Sequence, residues 1–176
     1  MPAHTVGISE DLLDARSLWL TANSTTVYVS TCLDLKQGPV VMEVAPGLLG
    51  AVNDAFFRWV TDLGLTGPNQ GEGGKYVFVG PDYEGELPDG YRVVKTSTYR
   101  NWMFLRALVQ NGDVETATLG LRTEFRIYPL SQLKNPPKGR WVDASGAKIN
   151  TIHANDYTFW HELDAVIQYE PADSFD

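Results

Sequence analysis

His153, Asp156, His161 and Glu162 fall within one block, Asn150 to Asp173 (NTIHANDYTFWHELDAVIQYEPAD), the densest gathering of chemistry-bearing side chains in the chain. Two neutral imidazoles and a carboxylate would suit zinc or iron. The spacing argues against it. His161 and Glu162 are adjacent, so on a helix they point about 100° apart, whereas ligands that share a helix face recur at i and i+3 or i+4. Asp156 lies five residues before His161 and fits a helix cap better. No metal ligands and no cofactor are therefore expected. The residues kept as catalytic candidates are His153, Tyr28 and Asp156, because imidazole, phenol and carboxyl groups exchange protons once their surroundings shift them.

Other routes to chemistry are weaker. No GxSxG elbow occurs, and Cys32, the only cysteine, sits in an alternating strand where it reads as a small buried apolar residue. A single cysteine allows no internal disulfide. The run GEGGK, Gly71 to Lys75, superficially resembles a phosphate cradle, but it lacks the following Ser or Thr and leads into a strand rather than a helix, so it reads as a hairpin loop. A more promising feature is aromatic: Tyr28, Phe57, Trp59, Tyr99 and Trp102 could wall an apolar cavity between sheets, with Arg106 as its polar anchor. Arg106 interrupts the apolar run Trp102 to Val109, so it either faces out by alternation or is paired inside.

The elements that must position these residues follow from periodicity. Ser9 to Ala22, with Glu10 and Asp11 ahead of Leu12, Leu13, Leu18 and Leu20, predicts a short helix. From Thr26, TVYVSTCLDL alternates as a strand, and VVMEV at Val40 to Val44 predicts its antiparallel neighbour. Val52 to Asp62 reads as a third strand, Gly64 to Tyr76 as an exposed loop, and YVFVG and Tyr91 to Thr96 as further strands around the turn segment Gly80 to Tyr91. Asn101 to Val109 fits either strand or helix and is read as a strand because of its neighbours; Val114 to Thr123 is read as a helix, and Phe125 to Tyr128 as a last core strand before the Pro-containing stretch to Arg140. The C-terminal block predicts a helix capped by Asn155 or Asp156, with Phe159, Trp160, Leu163, Val166 and Ile167 at helical spacing and Pro171 forbidding continuation. The fold class is therefore mainly β with short helices: an antiparallel β-sandwich or jelly-roll-like partial barrel with helices at both ends.

Composition bounds the rest. The 176 residues, 43% hydrophobic and 20% charged, suffice for one real core. The net charge of −8, with no basic cluster in the sequence, repels a polyanion and argues against nucleic acid as a partner. No stretch of about 18 uncharged apolar residues is present to span a bilayer. The first residues show no secretory signal; cytoplasmic is the default localisation, with truncation of the N-terminus left open.

Four blocks carry a resemblance: NSTTVYVSTCLDLKQGPVVMEV, GLTGPNQGEGGKYVFVGPDYEGELPDGY, TYRNWMFLRALV with YPLSQL, and the histidine block itself. Over Leu18 to Asp173 the chain resembles the bacterial family called domain of unknown function 1254. That resemblance implies the middle of a larger protein, in which a C-terminal β domain of unknown function 1214 follows. It implies an organisation of a helical extension at 1–22, a β domain at 23–131, and a linker with a connector helix at 132–176. One departure is Thr25, which stands where the family places an acid. Another is His161, at a position expected to be aromatic or acidic.

Two functions fit. The first is a binding or structural module that recognises a small apolar or glycan-like ligand through Trp102, Arg106, Tyr99, Trp59 and Phe57, docks on a companion β domain or subunit through its last helix, and forms homo-oligomers. The alternative is a hydrolase or lyase with its site at the junction of two β domains. The sequence leaves open whether the protein is an enzyme.

Overall fold

The protein is described from a computed structural model that covers residues 2–14, 16, 22–148, 150 and 152–174. It is mainly β, with ten strands: β1 (Val6–Ile8), β2 (Thr26–Asp34), β3 (Val40–Val44), β4 (Leu48–Asp54), β5 (Trp59–Gly64), β6 (Gly74–Val79), β7 (Arg92–Lys95), β8 (Arg100–Leu108), β9 (Arg126–Pro129) and β10 (Trp141–Asp143). Two α-helices, α1 (Val114–Glu124) and α2 (Thr158–Ile167), and a 3-10 turn at Leu130–Gln132 complete the described elements. The strands form a six-stranded sheet in the order β10-β1-β2-β8-β4-β5 and a four-stranded sheet in the order β7-β6-β3-β9.

Alternation explains the core. In β2, Val27, Val29 and Leu33 turn inward; in β8, Met103, Leu105 and Ala107 do the same. From the opposite sheet Val40, Met42 and Val44 of β3, Tyr76 and Phe78 of β6 and Ile127 of β9 meet them in one cluster, which Leu121 and Phe125 close at the end of α1. The outer face of the four-stranded sheet is also covered. Val41, Val77, Val79 and Tyr128 lie under Tyr83, Leu87, Tyr91, Leu130 and Leu133 in a second, smaller cluster. Within it, both Nε of Arg126 and the Tyr128 hydroxyl donate to the Glu43 carboxylate, at 2.6 and 2.9 Å.

Several expectations need correction. The sheets are mixed, since β1 pairs with β10 and β6 with β7 in parallel. Long connections before β7 and β10 permit those parallel returns, which turn-based pairing rules do not anticipate. The strand β3 is not a neighbour of β2; it pairs with β6 and β9 in the other sheet. Both faces of the core want the same apolar alternation, so hydropathy fixes which side of a strand is buried and not which sheet holds it. The stretch Val52 to Asp62 is two strands, broken at Ala55–Arg58 by a turn that the Asp54 carboxylate organises. GEGGK is no hairpin loop: it carries the chain from β5 in one sheet to β6 in the other. The described residues 9–14 are irregular rather than helical, and Leu18 and Leu20 lie outside the described residues. There, Glu10 is ion-paired with Arg122 and the Asp11 amide donates to Ser145, so the acids serve contacts across the fold instead of a helix start.

Candidate ligand-binding face

The alternation that turns Val29, Met103 and Leu105 inward forces the intervening side chains onto the outer face of the six-stranded sheet. Register aligns Tyr28 with Arg106, Ser30 with Phe104 and Cys32 with Trp102, and on the other side of β8 aligns Leu49 with Arg106 and Asn53 with Trp102. Neighbouring strands thus build a row of rings. Tyr28 and Phe104 have centroids 5.2 Å apart, Phe104 and Trp102 5.2 Å, and Trp102 and Phe57 5.6 Å in a stacked arrangement. The Trp102 Nε1–H donates to Ser30 Oγ at 2.8 Å, which fixes the indole plane.

The open end of the row is Phe57, 70% exposed in the turn between β4 and β5. Its backbone has φ of +64°, a region that bulky L-residues rarely occupy. The turn is over-determined around it. The Phe57 amide donates to Asp54 O, Asn53 Nδ2 donates to Phe57 O, and the Asp54 carboxylate accepts from the amides of Phe56 and Arg58 and from Arg58 Nε. Backbone strain held in place by this many bonds clusters at active sites and ligand clamps. Trp59, 66% exposed on the same hairpin, donates its Nε1–H to Asp62 at 3.2 Å.

Arg106 faces outward by alternation, half-buried beside Tyr28, and its Nε is buried without a hydrogen-bond partner. A guanidinium donor in that condition is costly unless something completes it. Cys32 shares this face and is exposed, not buried, because its neighbours Thr31 and Leu33 hold the inward positions.

Tyr28, Phe57, Trp59, Trp102 and Arg106 are thus on one sheet face, an outer one, on which Tyr28 is only 3% exposed and its hydroxyl accepts from the Asn23 amide at 2.9 Å. The space behind Trp102, where a cavity between sheets was expected, is filled by Val29, Leu33, Met103 and Leu105, all fully buried. Tyr99 stands apart, just before β8, edge-on to Tyr169 and with its hydroxyl bonded to Asp82. His153 is exposed; its Nδ1 lies 2.8 Å from Ala154 O and its ring against Phe159. Asp156 accepts from the Thr158 hydroxyl and, at 2.9 Å, from the Thr158 amide, which holds its carboxyl below the usual range. Both residues serve their own loop ahead of α2. His161 lies edge-on to Tyr157, and among the described residues no three metal-ligating side chains converge.

Sequence reasoning missed the group that fastens the far end of the chain. Glu170, only 7% exposed, accepts the amide hydrogens of Tyr99 at 2.5 Å and Arg100 at 3.2 Å. Burial holds its carboxyl above the ordinary range despite those donors. Tyr169 donates to Asp34 at 2.7 Å, with its ring under the Arg100 guanidinium. The only sequence cue was an acid and a tyrosine immediately before Pro171, which fixes no partner.

The architecture is that of a two-sheet mixed β-sandwich carrying an aromatic row on one outer face. Residues 4–129 match the family described as Protein of unknown function (DUF1254), and the chain belongs to that family. No curated protein matches the sequence. Among solved structures, the VPA0106 protein from Vibrio parahaemolyticus is similar, with a TM-score of 0.64 and 19% identity over 87% of this chain and 38% of that one. At that identity the likeness is one of fold, and this chain corresponds to well under half of that protein's length.

Proposed function

We propose that this chain is a binding module, whose outer aromatic row takes a ring-shaped, glycan-like ligand. The observation that carries the reading is Phe57: an exposed ring, stacked on Trp102, held on a backbone conformation that glycine would adopt more cheaply. A sugar presents an apolar ring face to aromatic rings and hydroxyls at its rim. Around this row stand Asn53 and Asp62 on the adjoining strands, which can serve that rim. No observation favours the hydrolase or lyase alternative, since His153 and Asp156 are committed to bonds within their own loop.

The same reading assigns α2 to a companion domain of a larger protein. The helix buries no residue fully, and it leaves Trp160 59% exposed beside Phe159, Leu163 and Val166.

Tryptophan emission followed during titration with cellotetraose and with laminaritetraose tests the ligand reading. A saturable change is expected for one of them, and Trp102→Ala should weaken it about fivefold, the equivalent of about 1 kcal/mol for one stacked ring. A wild-type chain that binds no member of a broad glycan panel overturns the reading.

A further inference from the structure

The segment after α2 makes contacts with residues that stand close in sequence to both members of the Phe57–Trp102 pair. On one side, the two carboxylate oxygens of Glu170 take the amides of Tyr99 and Arg100, and Arg100 opens β8 two residues before Trp102. Tyr169 is held there by its hydroxyl on Asp34, by the Arg100 guanidinium 3.8 Å from its ring centroid and by the Lys36 ammonium at 4.1 Å, whose Nζ also donates to Tyr169 O. On the other side, Ser174 O accepts from Arg58 Nη2 at 2.5 Å. Arg58 follows Phe57 directly, and its Nε lies 2.6 Å from Asp54 Oδ2, the carboxylate that shapes the turn.

We propose that Tyr169–Ser174 is a clamp that sets the Phe57–Trp102 pair, with Glu170 and Arg58 as positioning residues for the ligand face. The proposal rests on the reading of that face as a binding site. Its physical basis is that the constraint on the Phe57 turn is shared between bonds inside the turn and the contacts of the segment after α2. Phe57 sits in a strained backbone conformation that persists only while its surroundings over-determine it. Arg58 supplies part of that constraint, and its planar fork spans three acceptors at once, Asp54, Ser97 Oγ and Ser174 O. Glu170 is a buried acid, and such a group persists where both its oxygens are satisfied; here the donors are successive amides at the root of β8.

The test uses the full chain. Glu170→Ala removes both acceptors, and hydrogen exchange should quicken at the amides of Tyr99 and Arg100 and also, about tenfold, at the 56–58 turn. The near-ultraviolet circular dichroism of the stacked pair should weaken, the tetrasaccharide Kd should rise about fivefold, and Glu170→Gln, which keeps one acceptor oxygen, should restore part of each. Arg58→Lys, which retains charge but loses the fork, should reproduce the change at 56–58 without touching Tyr99, and it serves if Glu170→Ala does not fold. Faster exchange at Tyr99 and Arg100 with an unchanged 56–58 turn and unchanged dichroism overturns the clamp. A wild-type chain that binds no tetrasaccharide overturns the reading of the face instead, and leaves the coupling to be judged by exchange and dichroism alone.

Discussion

Phe57 carries its ring on a backbone that glycine would occupy with less strain, and this separates its value to the fold from its value to the surface. A non-glycine residue in the left-handed region costs about 1 kcal/mol or more, while glycine adds a comparable entropic penalty in the unfolded chain. Phe57→Gly should therefore move stability by less than about 1 kcal/mol, read as the urea midpoint, while tetrasaccharide binding falls about fivefold with the lost ring. A large destabilisation with unchanged binding would show that the ring serves packing. At this scale the sequence was partly legible. Alternation across Trp102 to Val109 offered two fates for Arg106, and outward was one of them. The positive φ at Phe57 was not legible, because it is imposed by the Asp54 carboxylate from three residues away.

At the scale of elements, the ring row exists because β8 lies between β2 and β4, so that one strand aligns partners on both sides. Gly50 permits this closeness. A Cβ placed there would stand 2.0 Å from Phe104 O and 2.8 Å from Leu105 Cα, both backbone atoms that cannot swing away. Gly50→Ala should cost about 1–3 kcal/mol, the range for overpacking a close-fitted site, and should also shift the near-ultraviolet signal of Trp102 by forcing β4 from β8. Unchanged stability would mean that the strands are less tightly apposed than described. The helix α1 follows closely from its pattern in the sequence, whereas the apolar run of β8 fits helix or strand and is settled as a strand by its neighbours. The β4–β5 turn does not, since Asn53 and Asp54 signal a turn but the aromatics after them favour a continuous strand.

At the scale of the whole molecule, the N-terminus is tied across the six-stranded sheet through an imidazole. His4 Nε2 accepts from the Asp34 amide at 3.2 Å and also lies 3.1 Å from Asp34 O, and burial lowers its pKa below the ordinary 6.5. Accepting from an amide requires the neutral ring. With the folded value depressed, the unfolded chain binds a proton first as pH falls through about 6.5, so this contribution to stability is present above that pH and is lost below it. Thermal melts should show Tm falling between pH 7.5 and 5.5, with a smaller slope in His4→Asn. Equal slopes would place the pH dependence elsewhere. No helix among the described residues is long and apolar enough to cross a membrane.

The amino-acid order by itself determined the mainly β class, the alternation of β2, the span of α1, and the family, since each is carried by local alternation, capping or contiguous blocks of residues. Tertiary structure alone decided that β3 belongs to the second sheet, that two pairings are parallel, that the aromatic residues line an outer face instead of an internal cavity, and that Glu170 binds the amides of Tyr99 and Arg100. These are contacts between residues far apart in the chain. Their energies depend on which surfaces meet, and local sequence patterns specify a buried face without naming what covers it.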